Sequence, residues 1–471
     1  MGQGYSGNYD DIQRCDQSVN NIHRPKQVPG LANVIDITAG SEHVCALKVD
    51  GSTWCWGRND LGQATGAGAS SDIKAPQQIP FQGSKYVKSI SRGNRHTCAL
   101  RDDGHVYCWG LNSDGQVGDS SFSQCSASSW WDCGPTTPYG VGGIDQVVQL
   151  EAGDSHTCAR RSDGTVWCWG DNKDQQLGVS NGLVSGVSTT PVQVAGVLNA
   201  IDLDVGTGNQ SNQSCAVIAD GTVTCWGPTA GDPSSLSGLT DVAVAGTFAC
   251  GRKVDSGVWC WGTIGGAVPN TYNTPAQLKP GSKFLSVDSS ALHACAQETN
   301  SVVQCFGDNA NAQFSTPTNS NNNTWDLTGP VVWSWQVKQP LALSTINTFS
   351  AKHNAFVATG QDFNGSIGDG PGDGTILVNP KTITIPTVDA VGVRAAGAGA
   401  ASDPKSNGLA GGACVVTGGG DVYCWGSNAF GEIGNGVKAV VGGGGACPNG
   451  VACEHAPSKV NVPTGAFQVG Q

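Results

Sequence analysis

Charged side chains are scarce: Asp, Glu, Lys and Arg make up 13% of the 471 residues, about half the share of an average soluble chain. Low charge accompanied by ample Val, Ile and Trp excludes the disordered class, because enough apolar area exists to offset chain entropy. Basic runs are lacking, and the formal net charge is −12. That balance argues against nucleic acid as a partner, since phosphate contacts need clustered Lys and Arg. No apolar stretch approaches the roughly 20 residues of a spanning helix, so no membrane span is expected. Signatures of catalysis are lacking too: there is no Gly-x-Ser-x-Gly, no phosphate-cradling loop and no His-Glu-x-x-His. The chain therefore reads as a non-enzyme with no cofactor, although fold alone would not exclude an enzyme. Its opening, MGQGYSGNYDD, lacks the basic and apolar regions of a signal peptide. A mature or recombinant chain with Met1 added is the expectation. MGQGYS also fits the short N-myristoylation pattern, against which the cysteine content below weighs.

Glycine and cysteine are in excess. The 68 Gly are about twice the usual share and, without a triplet period, suggest many tight turns between short strands. The 19 Cys suit an oxidising compartment, so an extracellular or cell-surface location is expected. A chain of this length is too long for one ordinary core, which makes repetition the first thing to look for.

Seven segments share one spacing, two Cys separated by nine residues: Cys45/Cys55, Cys98/Cys108, Cys158/Cys168, Cys215/Cys225, Cys250/Cys260, Cys295/Cys305 and Cys414/Cys424. Trp-Gly follows the second Cys six times, and Phe306-Gly307 once. In HTCALRDDGHVYCWG (96–110), alternating residues around Asp103-Gly104 predict two strands joined by a tight turn. A three-residue loop centred on Asp103 sets Cys98 directly opposite Cys108, close enough for a cross-strand disulfide. The same arithmetic applies around Asp50-Gly51 and Asp163-Gly164. Zinc is the alternative for paired cysteines, but its ligands usually stand two to four residues apart, which fits poorly.

A second piece recurs between the hairpins. PKQVPGLANVIDITAG (25–40) matches PVQVAGVLNAIDLDVG (191–206) almost position by position, with related versions near Pro76, Pro138, Pro275 and Pro380. Each supplies two further strands, so one unit holds about four, the content of a propeller blade. Polar turns follow several Trp-Gly pairs, as in NDLGQATG (59–66) and NSDGQVGD (112–119).

Together these elements resemble the regulator of chromosome condensation repeat, in the Cys-rich form of secreted bacterial proteins. The resemblance covers about residues 25 to 471 and implies an all-β β-propeller, typically of seven blades, stapled by cross-strand disulfides. Eight hairpin units can be counted, so seven or eight blades are expected. The eighth unit, HNAFVATGQ (353–361), is degenerate, with Ala355 where a first Cys is expected. The step from Cys215 to Cys250 is short, which predicts that this blade lost a strand or its outer loop. Half-units stand at both ends, 25–40 and APSKVNVPTGAFQVGQ (456–471). Strands from opposite termini completing one blade would close the ring and leave one half-unit in surplus.

Residues 1–24 read as a polar tail outside the repeat. Loop insertions are expected at about 119–137, 315–337 and 436–456, emerging on one face. Cys125 and Cys133 would close the first, and Cys447 and Cys453 the last. Trp130, Trp131, Trp325, Trp333 and Trp335 are the candidate binding residues, able to stack on a glycan or anchor a protein, or else to pack their own loops. The repeating Trp residues are expected to pack between blades. His43, His96, His156, His293 and His353 each stand two places before a first-Cys position, where a hydrogen bond satisfying a turn is expected. A weak calcium candidate is Asp362, Asn364, Asp369 and Asp373; its spacing is not that of an EF-hand. Cys15 is the leftover thiol and a candidate for an intermolecular bridge, which would make the tail an assembly device. An extracellular binding or surface-assembly protein with a protein or glycan partner is the leading reading, an enzyme inhibitor its specific version. Nucleotide exchange on a small GTPase, known in the family, and a propeller enzyme come behind.

Overall fold

The computed structural model describes residues 21–65 and 72–307, apart from short connecting stretches (41–42, 82, 84–85, 121–133, 136, 180–185, 207–212, 229–230, 265–269, 290–292 and 299–301). Beyond them it describes the strands between Trp333 and Ser427. Every regular element among these residues is a strand, and the strands form eight antiparallel sheets. Blade one comprises Val34–Ala39, His43–Lys48, Thr53–Gly57 and Ile73–Gln78, in that order from first strand to fourth. Blade two begins at Val87, blade three at Val147, blade four at Ala200, blade five at Leu239 and blade six at Phe284. The protein is an all-β propeller.

Ring closure joins the two ends of the chain. Blade eight takes Ala396–Gly397, Gly412–Val416 and Val422–Ser427 from the C-terminal part and Asn21–Gln27 from the N-terminal part. Lys26 lies opposite Cys424, and Val28 N–H donates to Val422 O at 2.6 Å. The polar tail is thus shorter than 1–24, because Asn21 to Arg24 already belong to a blade.

The middle hairpins have the expected register. Cys98 faces Cys108, Arg101 N–H bonds His105 O across the three-residue turn, and Gly104 takes φ +80°. Five disulfides join such pairs: Cys45–Cys55, Cys98–Cys108, Cys158–Cys168, Cys215–Cys225 and Cys250–Cys260, with Cα separations of 4.0–4.1 Å. Cys424 is also disulfide-bonded and lies opposite Cys414; Cys295 lies opposite Cys305. The short separation marks a non-hydrogen-bonded pair, where side chains stand closest.

No blade has a core of its own. Each cluster of buried residues spans neighbouring blades, as where Trp169 of blade three packs with Val117, Val141 and Val106 of blade two. A single sheet cannot bury both faces, so stacking builds the core.

Two units depart from the expected pattern. In blade seven, Ala358 faces Lys381 and, after a register shift, Gly360 faces Leu377. Cys168, Val192, Gly170 and Ser188 of blade three show the same shift between third and fourth strands. Ala355–Gln361 is therefore a third strand, and Ala358, not Ala355, marks the lost cysteine, at the second position. Blade four has three strands among the described residues. Pro233 stands six residues before its neighbour's first strand, as Val28, Val141, Val194 and Leu278 do.

Candidate functional site

In blades one to six the first strand runs from one face of the disc to the other with a β-bulge near its start. The register shifts at Val34/Asp36, Val87/Ser89, Val147/Gln149, Ala200/Asp202, Leu239/Asp241 and Phe284/Ser286. The extra residue lets Val34 and Ile37, three apart, both face the core. It also turns the residue between them outward, so that Ile35, Ile201 and Leu285 are 56%, 44% and 54% exposed. Val49 and Val254 in hairpin turns, and Tyr86 and Leu198 just before first strands, are exposed as well. All seven exposed large apolar residues of the described chain lie on the face that carries the hairpin turns. Five turn aspartates, Asp50, Asp103, Asp163, Asp220 and Asp255, ring the same face and accept from backbone N–H groups two residues on.

Behind the bulges, the third and fifth positions of the first strands line the inner wall: Asp36, Thr38, Ser91, Gln149, Glu151, Asp202, Asp204 and Asp241. Four of them, Ser91, Gln149, Asp202 and Asp204, stitch blade to blade. Ser91 accepts from Ala152 N–H at 3.0 Å, Asp202 from Val242 N–H at 3.0 Å and Asp204 from Val244 N–H at 2.6 Å. Gln149 donates to Asp202 Oδ1 (3.0 Å) and Leu203 O (2.8 Å). An inner edge strand leaves N–H groups without a ladder partner, and these side chains supply the acceptors. Glu151 differs: its carboxylate receives a long bond from Ser91 Oγ at 3.5 Å and has the Gln149 side chain beside it. It is partly exposed by area yet enclosed by protein mass; burial and the Asp202 charge push its pKa up to about 8. Burial raises Asp202 too.

A second girdle runs near the opposite face. His43 Nε2 lies 2.7 Å from Thr97 Oγ1, His96 Nε2 3.1 Å from Thr157 Oγ1, and His156 Nε2 3.0 Å from Ser214 Oγ. Each bond joins one blade to the next, so the expectation of a turn-satisfying contact is corrected. Thr157 Oγ1 donates to Gln116 O at 2.9 Å, which makes His96 Nε2–H the donor to Thr157. Burial, with Arg92 and Arg95 nearby, lowers the His43 pKa to about 3; Asp60 opposes. Burial, with the charges of His156 and His43, lowers His96 to about 3, and burial lowers His156 to about 4. Three uncharged imidazoles tie four blades. Gly93 leaves the room they need, because a Cβ there would sit 2.0 Å from His96 Cε1.

The repeating Trp residues also bridge blades. Trp109 Nε1 donates to Gln63 O (3.0 Å), Trp169 to Gln116 O (2.9 Å) and Trp226 to Gln176 O (2.9 Å), each acceptor in the polar turn of the preceding blade. Trp261 is equally buried, but its Nε1 has no partner among the described residues. The blade before it runs GPTAGDP in place of the Gly-Gln turn.

Several candidate residues lie outside the described residues: Cys15, Cys125, Cys133, Trp130, Trp131, Trp325, Cys447, Cys453, His353 and the calcium candidates Asp362, Asn364, Asp369 and Asp373. Trp333 and Trp335 are corrected from loop to strand. They belong to Trp333–Gln336, the fourth strand of blade six, opposite Cys305 and Val303. Aromatic residues suit such a pleated position. Sequence reasoning missed Ile35, Ile201, Leu285 and Glu151; the signal was the spacing of three between core positions, which betrays the bulge.

The repeating unit is four antiparallel strands, with Trp and the Gly-Gln turn joining neighbours. A family model described as the regulator of chromosome condensation (RCC1) repeat matches residues 34–63, 87–116 and 147–176, and a second of the same description matches 50–100 and 103–160. Residues 34–176 carry RCC1 repeats. The human E3 ubiquitin-protein ligase HERC2 is 26% identical over 321 residues, covering 62% of this chain and 6% of HERC2. The mitochondrial RCC1 domain-containing protein RUG3 of Arabidopsis thaliana is 30% identical over 174 residues, 36% of each chain. The chain thus spans a small part of HERC2 and about a third of RUG3. The crystal structure of human WBSCR16 superposes with a TM-score of 0.50 at 16% identity, covering 76% of this chain and 85% of that one, a likeness of fold.

Proposed function

We propose that this RCC1-repeat propeller is an extracellular binding protein, without catalytic activity of its own, whose partner docks on the hairpin-turn face. The observation that carries the reading is the segregation of Ile35, Ile201, Leu285 and the other exposed apolar residues to that face. Scattered exposed apolar residues need no explanation, but their gathering on one face of a rigid disc does. Cross-strand disulfides in five blades favour an oxidising location and a surface held in shape before binding. Asp202 and Asp204 of the inner wall are engaged as stitches between blades, which favours a structural over a hydrolytic role for them.

The test is a selection of displayed cyclic peptides on the oxidised protein, followed by binding to an Ile35→Asp/Ile201→Asp/Leu285→Asp variant. These side chains are exposed, so the fold survives their replacement. Retained peptides should lose roughly tenfold or more in affinity for the variant, the cost of about 1.4 kcal/mol of apolar contact. Peptides that bind both proteins equally would refute the assignment of the face.

A further inference from the structure

The first three seams between blades are built from the same four positions. Between blades two and three, His96 Nε2 donates to Thr157 Oγ1 at 3.1 Å, and Thr157 Oγ1 and Trp169 Nε1 both donate to Gln116 O at 2.9 Å. His43, Thr97, Gln63 and Trp109 hold these places between blades one and two. His156, Ser214, Gln176 and Trp226 hold them between blades three and four.

The next two seams abandon the network in different ways. Between blades five and six every side chain of the set is apolar. Phe248 stands in the histidine place, Ala294 in the threonine place and Phe306 in the tryptophan place, judged by their partners across each hairpin. Between blades four and five only the middle of the network is dropped. Ala249, opposite Trp261, replaces the hydroxyl. Gln213 and Trp261 keep the two polar ends, and both are fully buried. Gln213 Nε2 donates to Cys215 Sγ at 3.5 Å, whereas Gln213 Oε1 and Trp261 Nε1 have no hydrogen-bond partner among the described residues.

The turn carbonyl is lost from this seam as well. Gly231 holds the place of Gly115. A Cβ on Gly231 would meet Tyr272 O at 2.7 Å and one on Gly115 would meet Ser188 O at 3.0 Å. Tyr272 and Ser188 are equivalent, lying opposite Gly262 and Gly170. Asp232 follows where Gln116 does, yet it is exposed, its N–H donates to Asn273 O and its carboxylate accepts from Ser234 N–H.

Ala249 and Trp261 pack with Cys215 of blade four, so Gln213 Oε1 and Trp261 Nε1 reach one seam from its two blades. An acceptor and a donor buried together call for a group that can serve both. Water does so, and buried water characteristically joins such atoms. We infer that a buried water stands in for the threonine hydroxyl and the turn carbonyl between blades four and five, accepting from Trp261 Nε1–H and donating to Gln213 Oε1. The inner wall of the same seam carries the carboxylate caps of Asp202 and Asp204 on Val242 and Val244. The assignment is independent of what binds the hairpin-turn face.

Two measurements on the oxidised full chain test it. In a crystal structure grown without alcohols or glycols, an ordered water within hydrogen-bonding distance of both Trp261 Nε1 and Gln213 Oε1 is expected. A carbonyl of residues 227–232 bonded to Trp261 Nε1, or no density between the two atoms, would overturn the inference. The second measurement compares Ala249→Thr with Ala249→Val by denaturant unfolding. The two side chains have one shape and differ in the hydroxyl. An apolar seam favours Val; a seam that holds water favours Thr, whose hydroxyl replaces the water as it does at Thr157. The unfolding equilibrium constant of the Val variant should exceed that of the Thr variant about fivefold, the worth of one net hydrogen bond. Equal constants, or the reverse order, would overturn the inference, and the crystal structure decides alone should neither variant fold.

Discussion

Acidification should weaken this protein through its histidine girdle, and the loss can be sized. An unperturbed imidazole titrates near pH 6.5; the folded rings of His43, His96 and His156 titrate at about 3, 3 and 4. A depressed folded pKa leaves stability untouched above the unfolded value and removes it as pH falls from 6.5 towards the folded value. At pH 5.5 each ring costs about 1.4 kcal/mol, so the three cost about 4 kcal/mol. Glu151 acts with the opposite sign. Its folded pKa of about 8 penalises the fold above the unfolded carboxyl value, and acidification from pH 7.5 to 5.5 relieves on the order of 2 kcal/mol. A net loss of about 2 kcal/mol is therefore expected for the unmodified protein, and about 4 kcal/mol for Glu151→Gln. Gln213 already stands at the histidine position of blade four and lines up its neighbour Ser214 with His156. That makes glutamine a non-titrating replacement the fold accepts, and His96→Gln/His156→Gln should flatten the dependence. Denaturant midpoints of the oxidised proteins at pH 7.5 and 5.5 measure all three. Equal pH dependence across them would refute the reasoning.

Three further outcomes follow from the repeat and its exceptions. Trp169→Phe should destabilise by about 1 kcal/mol more than Trp261→Phe in matched unfolding curves, because only Trp169 gives up a hydrogen bond to the chain. Mild reduction followed by alkylation and peptide mapping should label Cys225 before Cys108, Cys168 or Cys260, since the others are fully buried. Gly164→Ala should lower the unfolding midpoint by an amount worth about 1–3 kcal/mol. Its φ is +78°, and a Cβ would meet Asn199 Cα at 2.5 Å.

Much of the architecture was legible in the residues alone. Cysteines with nine residues between them around an Asp-Gly turn fix a hairpin register, because strand side chains alternate with period two and only one loop length brings both sulfurs to the same side. Repetition of that hairpin with a second two-strand piece fixes a blade, and the N-terminal half-unit points to how the ring closes, as Asn21–Gln27 does beside Val422–Ser427. Degeneracy misled where a strand had lost its cysteine. Without sulfur to mark the register, Ala355 and Ala358 could not be told apart by spacing, and the ladder decided.

The sequence by itself determined the unit, its staples and its closure, because these are local patterns read within some twenty residues. Only the tertiary structure decided what the units do to one another. The histidines bond the next blade rather than their own turns, and the wall carboxyls cap a neighbour's strand. The bulges bring aliphatic side chains from separate blades onto one face. Residues some 40 to 60 positions apart carry those contacts, as His96 and Thr157 do, and no local pattern encodes which blade lies beside which.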